Sequence, residues 1–165
     1  MKRFGIVALI LIIGGLVYYL AKDREEKPQE IASTTANEYP PMLIANPDGS
    51  QVTLTELKGN NIIVFFQPDC DHCQREAKAI ADNIEGFSEY QLYFISLDDF
   101  NLMNEFATEF GLAGKSNVSF GRTTLDDILN NLGRISPPSL YIYREGKLIK
   151  HLDGEKDIVE ILRYI

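Results

Sequence analysis

The chain contains 165 residues, of which 45% are hydrophobic and 24% are charged. This composition is typical of a globular protein, and the length leaves room for one ordinary domain besides a targeting segment, which excludes a multidomain enzyme. The formal net charge is −8 and the sequence has no long basic cluster, so a nucleic-acid partner is not expected. The two cysteines are too few for a disulfide scaffold or for a four-thiolate zinc site.

The N-terminal segment is the clearest compositional break in the chain. Residues 4–21 carry no charge, follow Lys2 and Arg3, and are long enough to span a membrane as a helix. A cleaved signal peptide is the competing interpretation, but the bulky Tyr19 stands where a small residue should precede a cut after Ala21. We therefore predict a transmembrane anchor at 1–21, a polar tether at 22–41 and a folded domain at 42–165.

The anchor also predicts where the domain lies. A short basic tip followed by one hydrophobic segment and a long domain usually leaves the tip in the cytoplasm and exports the domain. We therefore expect a single-pass protein of the inner cell membrane, with its domain on the extracytoplasmic, periplasmic side. Beyond residue 21 acidic residues outnumber basic ones, so the domain itself is not expected to bind anionic lipid.

From residue 42 onward, strand and helix patterns alternate along the chain. The run 62–66 is apolar throughout, as in a central strand that is buried on both faces, and apolar residues recur at helical spacing in 77–84. The predicted strands span 42–45, 51–54, 61–67, 90–97, 118–120, 140–144 and 148–152. The predicted helices span 73–84, 102–110, 124–132 and 155–164. This order predicts an α/β domain with a mixed central sheet flanked by helices.

Cys70 and Cys73 form a Cys-x-x-Cys pair at the junction between the strand 61–67 and the helix 73–84. The N-terminus of a helix stabilises a thiolate, so this position favours redox chemistry. In such a pair, Cys70 attacks a substrate disulfide and Cys73 resolves the mixed disulfide. The sequence therefore predicts a redox-active disulfide between Cys70 and Cys73. Thiol–disulfide exchange needs no cofactor or metal, and we predict none.

Other interpretations of the pair stay open at this point. The spacing also occurs in half of a zinc site, although the chain offers only His72 and His151 as further ligands of nitrogen type. A copper-binding metallochaperone could use Cys70, Cys73 and His151, because soft thiolates suit Cu(I). A non-catalytic binding module with a purely structural disulfide is the third alternative, although so small a loop adds little stability.

Two strings carry a resemblance to a known family: FFQPDCDHCQREA at 65–77 and ISPPSLYIYREGKL at 135–148. They resemble the thioredoxin-like, membrane-anchored thiol–disulfide oxidoreductases of the TlpA and ResA type, and the resemblance covers about 42–165. It implies a thioredoxin-like fold in which Pro138 is cis and lies against the cysteine pair. It also implies that Pro138 and Pro137 form the substrate-docking position, where Pro137 weakens one part of docking because it has no backbone N–H. In addition, Glu76 matches a buried glutamate of the ResA-type proteins.

The resemblance implies an enzyme that reduces or exchanges disulfides in exported proteins, with apocytochrome c as one substrate class. A membrane-embedded electron donor is then the expected partner. The sequence departs from cytoplasmic thioredoxins at Val64, where those proteins carry a buried acid, and we expect Glu76 to take that role. Peroxiredoxins share a segment similar to 47–59, but their peroxidatic proline-threonine-cysteine pattern is absent here.

Overall fold

The computed structural model describes residues 38–165 of the chain. The predicted anchor at 1–21 and residues 22–37 of the predicted tether lie outside the described residues. Within 38–165, no helix combines the length and the apolar character needed to cross a membrane.

Strands and helices alternate through the described domain much as predicted. The strands are β1 (Leu43–Ala45), β2 (Gln51–Thr53), β3 (Asn61–Phe65), β4 (Gln91–Ser96), β5 (Val118–Arg122), β6 (Ser139–Arg144) and β7 (Lys147–Asp153). The α-helices are α1 (Asp71–Asp82), α2 (Phe100–Glu109), α3 (Leu125–Asn131) and α4 (Ile158–Leu162). Two short 3₁₀ segments span Leu54–Glu56 and Ile84–Phe87.

The strands form one mixed sheet in the order β2-β1-β5-β4-β3-β6-β7. The three central strands β3, β4 and β5 are parallel to one another. In contrast, β6 runs antiparallel to β3, and β7 runs antiparallel to β6. The predicted α/β class with a mixed central sheet is therefore confirmed. β3 lies between β4 and β6, away from both edge strands. Its carboxyl end is therefore near the middle of the sheet.

The side chains of β3 divide between two cores, one on each face of the sheet. Ile62 and Val64 pack in the larger core, which also contains apolar residues of α1, α2 and α4. Ile63 and Phe65 pack in the second core, which contains Ile128 of α3. Every residue of β3 is buried, as the unbroken apolar run predicts.

β5 joins the N-terminal hairpin to the rest of the sheet, because it pairs with β4 on one side and with β1 on the other. A side chain at Gly121 would prevent this junction. Its Cβ would lie 2.3 Å from Cγ2 of Ile44, which is itself only 1% exposed. β5 corresponds to the short strand predicted at 118–120, and it extends further, to Arg122.

The folded domain begins earlier than the sequence predicts. Glu38 forms a β-bridge with Lys147, and the ring of Tyr39 stacks on Tyr143 with the ring centroids 4.0 Å apart. The hydroxyl of Tyr39 also accepts a 2.6 Å hydrogen bond from Nδ2 of Asn61. Residues 38–41, which we assigned to the tether at 22–41, therefore belong to the domain.

All four helix bounds differ somewhat from the prediction, and two of the differences concern the cysteine region. α1 begins at Asp71 because Cys70 caps it, and its Sγ accepts a hydrogen bond from the backbone N–H of Cys73. α4 is shorter than the predicted 155–164 because residues 154–157 form a loop. In this β7–α4 loop, Glu155 and Lys156 bind α1 instead of continuing a helix.

Candidate active site

The cysteine pair lies where β3 ends and α1 begins. A turn between them is closed by a 3.2 Å hydrogen bond from the N–H of Cys70 to the carbonyl of Gln67. Nε2 of Gln74, in the first part of α1, donates a 2.8 Å hydrogen bond to the carbonyl of Pro68. These two bonds fix the entry of the chain into the helix, so Cys70 is held at the N-terminus of α1.

The two sulfur atoms are neighbours with different exposure. Both cysteines are free thiols, and their Sγ atoms lie 2.7 Å apart in a hydrogen bond from Cys73 to Cys70. Cys70 is partly exposed, whereas Cys73 is 2% exposed and belongs to the larger core. Sγ of Cys70 also accepts a 3.3 Å hydrogen bond from the N–H of Cys73.

The buried sulfur is harder to ionise. Burial raises the pKa of the Cys73 thiol, and the hydrogen bond to Cys70 and the nearby Glu76 carboxylate act in the same direction. A thiol must lose its proton before it attacks a disulfide. Cys73 therefore needs a proton acceptor if it is to react at neutral pH.

Glu76 is a buried carboxyl one turn further along α1. It is 1% exposed, and its Oε1 accepts a 2.9 Å hydrogen bond from the backbone N–H of Lys156. Its Oε2 is buried and has no hydrogen-bond partner among the described residues. Burial raises the pKa of Glu76 from 4.5 to about 7. The predicted buried glutamate is therefore present, and near neutral pH it can both accept and release a proton.

The predicted docking residues lie next to Cys70. The peptide bond between Pro137 and Pro138 is cis, which confirms the conformation that the resemblance implied. The carbonyl of Pro137 lies 3.9 Å from Sγ of Cys70, within range of a weak hydrogen bond from that thiol. Pro137 and Pro138 themselves supply no N–H at this position.

An apolar cavity of about 370 Å³ extends from Pro137 past the carboxyl ends of the central strands. It lies between the ends of β3 and β4 on one side and α3 on the other. Its lining includes Phe66, Gln67, Leu97, Leu125, Leu129 and Pro137. Leu125 and Leu129 are 56% and 42% exposed, so both present apolar surface to solvent beside the cavity. The cavity therefore extends the surface around Cys70 with exposed apolar side chains.

A charged cluster lies on the exposed side of α1. Arg75 donates from Nε to Oε1 of Glu155 at 2.8 Å and from Nη2 to Oε2 at 2.6 Å. Nδ1 of His72 lies 2.6 Å from the same Oε2. The hydrogen bonds from Arg75 and His72 lower the pKa of Glu155 to about 2. His72, which we considered above as a further ligand of a zinc site, is thus paired with the β7–α4 loop.

The copper-binding alternative would need His151 beside Cys70 and Cys73, and these three residues are not grouped as a metal site. His151 lies in β7, where its Nε2 is 2.8 Å from Oγ of Ser139 and its ring stacks on Tyr141 with centroids 4.1 Å apart. Burial lowers the pKa of His151. Within residues 38–165, no group of three or more histidine, cysteine and acidic side chains is arranged to hold a metal ion.

The sequence did not indicate two parts of this site. Glu155 and Lys156 are about 80 positions from their partners on α1, and no local pattern links them. The exposed leucines of α3 left no signal either, because apolar residues at 125, 128, 129 and 132 follow the i, i+3, i+4, i+7 spacing of an ordinary buried helix face.

Comparisons with known proteins agree with this architecture. The sequence profile of the AhpC/TSA family matches residues 33–126, a segment that contains Cys70, Cys73 and Glu76. No curated protein sequence matches the chain significantly.

Several solved structures are similar to the chain. A secreted disulfide oxidoreductase of Mycobacterium tuberculosis, homologous to E. coli DsbE, has a TM-score of 0.63 and 15% identity over 75% of this chain and 93% of that chain. A thioredoxin-like protein from Porphyromonas gingivalis has a TM-score of 0.60 and 20% identity over 76% of this chain and 89% of its own. StoA from Bacillus subtilis has a TM-score of 0.56 and 13% identity over 74% of this chain and 93% of its own.

At these identities the similarity shows a common fold, so the predicted thioredoxin-like fold is confirmed. The family profile covers more than half of the 165 residues, including the whole region from β1 to the start of α3. The chain therefore belongs to the AhpC/TSA family and has a thioredoxin-like fold.

Proposed function

We propose that the protein is a thiol–disulfide oxidoreductase that uses Cys70 and Cys73 as its redox-active pair. The observation that carries this proposal is the partly exposed Sγ of Cys70 at the N-terminus of α1, 2.7 Å from the buried Sγ of Cys73. One sulfur is accessible to a substrate and the other is protected until the first has reacted. This asymmetry is what a two-step exchange requires.

In the reducing direction, the Cys70 thiolate attacks one sulfur of a substrate disulfide, and the other substrate sulfur leaves as a thiolate. The resulting mixed disulfide joins Cys70 to the substrate. Cys73 then loses its proton and attacks Sγ of Cys70, which releases the second substrate sulfur. The substrate gains two electrons, and the enzyme loses two as the Cys70–Cys73 disulfide forms. The reverse sequence oxidises a substrate dithiol.

Glu76 is the proton acceptor for Cys73 in this proposal. Its pKa of about 7 means that it is largely ionised above neutral pH and can then take the proton from Cys73. Below neutral pH it is largely protonated and cannot. The resolving step should therefore accelerate as the pH rises through about 7. When the disulfide is reduced again, the same carboxyl returns a proton to the departing Cys73 sulfur.

The substrate disulfide in this proposal belongs to a polypeptide. Cys70 is continuous with the apolar cavity through Pro137, which both faces Sγ of Cys70 and lines the cavity. An apolar side chain beside the substrate disulfide can occupy the cavity between Leu97, Leu125 and Leu129. The substrate backbone passes along Pro137 and Pro138, where Pro137 offers a carbonyl but no N–H.

We further propose that the enzyme is of the TlpA and ResA type, held at the inner membrane by residues 1–21 and acting on exported proteins. The uncharged segment 4–21 and its basic tip support the anchor. Each reduced substrate consumes two electrons, so a reductase needs a donor, and a membrane-embedded donor would face the exported domain. Apocytochrome c is the substrate class that the resemblance suggests.

The function is tested by trapping. A Cys73→Ser variant should accumulate a mixed disulfide between Cys70 and a polypeptide substrate such as insulin, because the resolving thiol is missing. A Cys70→Ser variant should accumulate none. The adducts are quantified by non-reducing electrophoresis and mass spectrometry. Trapping through Cys73, or Cys70-dependent consumption of peroxide without exchange with polypeptide disulfides, would contradict the proposal.

Glu76→Gln should slow the resolving step, because the amide cannot accept the proton of Cys73. A small aromatic disulfide that releases a coloured thiolate reports the two steps as two successive releases. The second release should accelerate through about pH 7 in the parent protein. In the variant this rise should disappear and the step should be about 100-fold slower just above neutral pH.

Glu105→Gln is the matched control, because it makes the same change on an exposed face of α2. It should leave both releases unchanged. If Glu76→Gln keeps the parental pH profile of the second release, Glu76 is not the proton acceptor.

Leu129→Asp should weaken the reaction with polypeptides selectively, because a charge would stand at the mouth of the cavity. We expect kcat/KM for insulin reduction to fall about tenfold, as for the loss of part of one buried leucine contact. The reaction with the small aromatic disulfide should not change. Leu102→Asp, at a leucine of α2 that is 43% exposed, is the matched control and should affect neither substrate. Equal losses with both substrates would argue against docking in the cavity.

The proposed location has its own test. Protein isolated from its native cells should sediment with membranes, retain residues 1–21, and be cleaved by protease added outside the cytoplasmic membrane. A freely soluble mature protein that begins after Ala21 would show that the segment is a cleaved signal peptide.

A further inference from the structure

Two consecutive residues of the β7–α4 loop bind α1 in different ways. The side chain of Glu155 binds Arg75 and His72 on the exposed side of the helix. The backbone N–H of Lys156 binds the buried Oε1 of Glu76 at 2.9 Å. The exposed ion pair and the buried carboxyl are therefore coupled through a single peptide unit of the loop.

The geometry of the exposed contact is specific. Arg75 uses two N–H groups on the two oxygens of Glu155, which fixes the orientation of both side chains. The ammonium of Lys156 donates to the carbonyls of Asp153 and Gly154, which folds the loop back on itself. The loop thus has a defined conformation, and the side chain of Glu155 attaches it to α1.

The exposed Arg75–Glu155 pair and the buried Glu76 carboxyl differ strongly in their access to water. The side chains of Arg75 and Glu155 are 55% and 29% exposed, and ion pairs of such exposure add little to global stability. Glu76, in contrast, is 1% exposed and leaves Oε2 without a partner. A loop that moved away from α1 would remove the only hydrogen bond that the described residues give to this carboxyl and would admit water to it.

We propose that Glu155 is a positioning residue for the exchange reaction: by binding Arg75 and His72, it holds the β7–α4 loop over Glu76 and keeps that carboxyl out of water. The inference rests on the proposed function of Glu76 as proton acceptor for Cys73. Glu155 does not touch the sulfur atoms in this scheme. It sets the pH at which Glu76 can work.

The charges around Glu76 make this proposal distinguishable from a direct electrostatic effect. Cys73 is its titratable neighbour on α1, and the loop contributes Glu155, whose charge raises the pKa of Glu76, and Lys156, which lowers it. Removing Arg75 leaves the charge of Glu155 without its main partner. A purely electrostatic effect would then raise the pKa of Glu76. Loosening of the loop would remove the hydrogen bond from Lys156, which lowers this pKa, but it would also let water reach the carboxyl. Because burial is the larger of the two effects, the pKa of Glu76 would fall.

The experiment is a carbon-13 NMR titration of the Glu76 side-chain carboxyl in the reduced domain, for the parent protein and for Glu155→Gln and Arg75→Met. Both variants should lower the pKa of Glu76 by about one unit or more, as expected when a buried carboxyl becomes hydrated. The amide of Lys156 should also exchange its hydrogen faster in both. Lys78→Met is the matched control, because Lys78 pairs with Asp82 on the same helix. It should change neither quantity.

A rise or no change in the pKa of Glu76 in Arg75→Met would overturn the proposal, whatever happens in Glu155→Gln. The titration does not depend on catalysis, so it remains valid if no exchange activity is found. The same change can be followed kinetically in the second thiolate release. In Glu155→Gln and in Arg75→Met, the pH midpoint of this release should fall by as much as the pKa of Glu76 falls in the titration. If the midpoint disappears in Glu76→Gln but does not move in these two, the proposed function stands and only the role of Glu155 fails.

Discussion

The hydrogen bond from the backbone N–H of Cys73 to Sγ of Cys70 is the interaction on which the rest of the site depends. It exists because Cys70 caps α1, and a cap side chain must lie outside the helix while its partner lies one turn inside. The same geometry leaves Cys70 partly exposed and places Cys73 in the core. The different roles proposed for the two sulfurs therefore follow from one helix start at the end of a buried strand.

Burial of the second sulfur creates the need for a proton acceptor, which is the role proposed for Glu76. A core thiol resists ionisation, and a carboxyl one turn away is useful only if its pKa is close to the working pH. Burial raises the pKa of Glu76 to about 7, and it requires the β7–α4 loop to cover the carboxyl and Lys156 to satisfy one of its oxygens. In the proposed reaction, the β7–α4 loop therefore contributes to the chemistry of the cysteine helix, and the sheet order brings the two together through β3, β6 and β7.

The sequence predicted those features that depend on short-range patterns. The apolar run 62–66 predicted a strand buried on both faces, and the helical spacing of apolar residues in 77–84 placed the cysteine pair at a strand-to-helix junction. The resemblance implied a cis Pro138. Features that depend on contacts between distant segments were missed. Tyr39 was assigned to the tether, but its ring stacks on Tyr143. Glu155 was assigned to the terminal helix, but its side chain binds Arg75, which is 80 positions away in the sequence. Such pairings leave no periodic trace in one sequence.

The central claim is that Cys70 and Cys73 cycle between a dithiol and a disulfide that exchanges with other proteins. The most direct test is the reduction potential of the pair, measured by equilibration in thiol–disulfide buffers with the two states counted by thiol alkylation and mass spectrometry. We expect a reversible two-electron transition at a potential above about −300 mV, in the range of exchanging pairs. A potential below about −300 mV, with no exchange on the time scale of the assay, would identify a structural disulfide and exclude the proposed redox cycle.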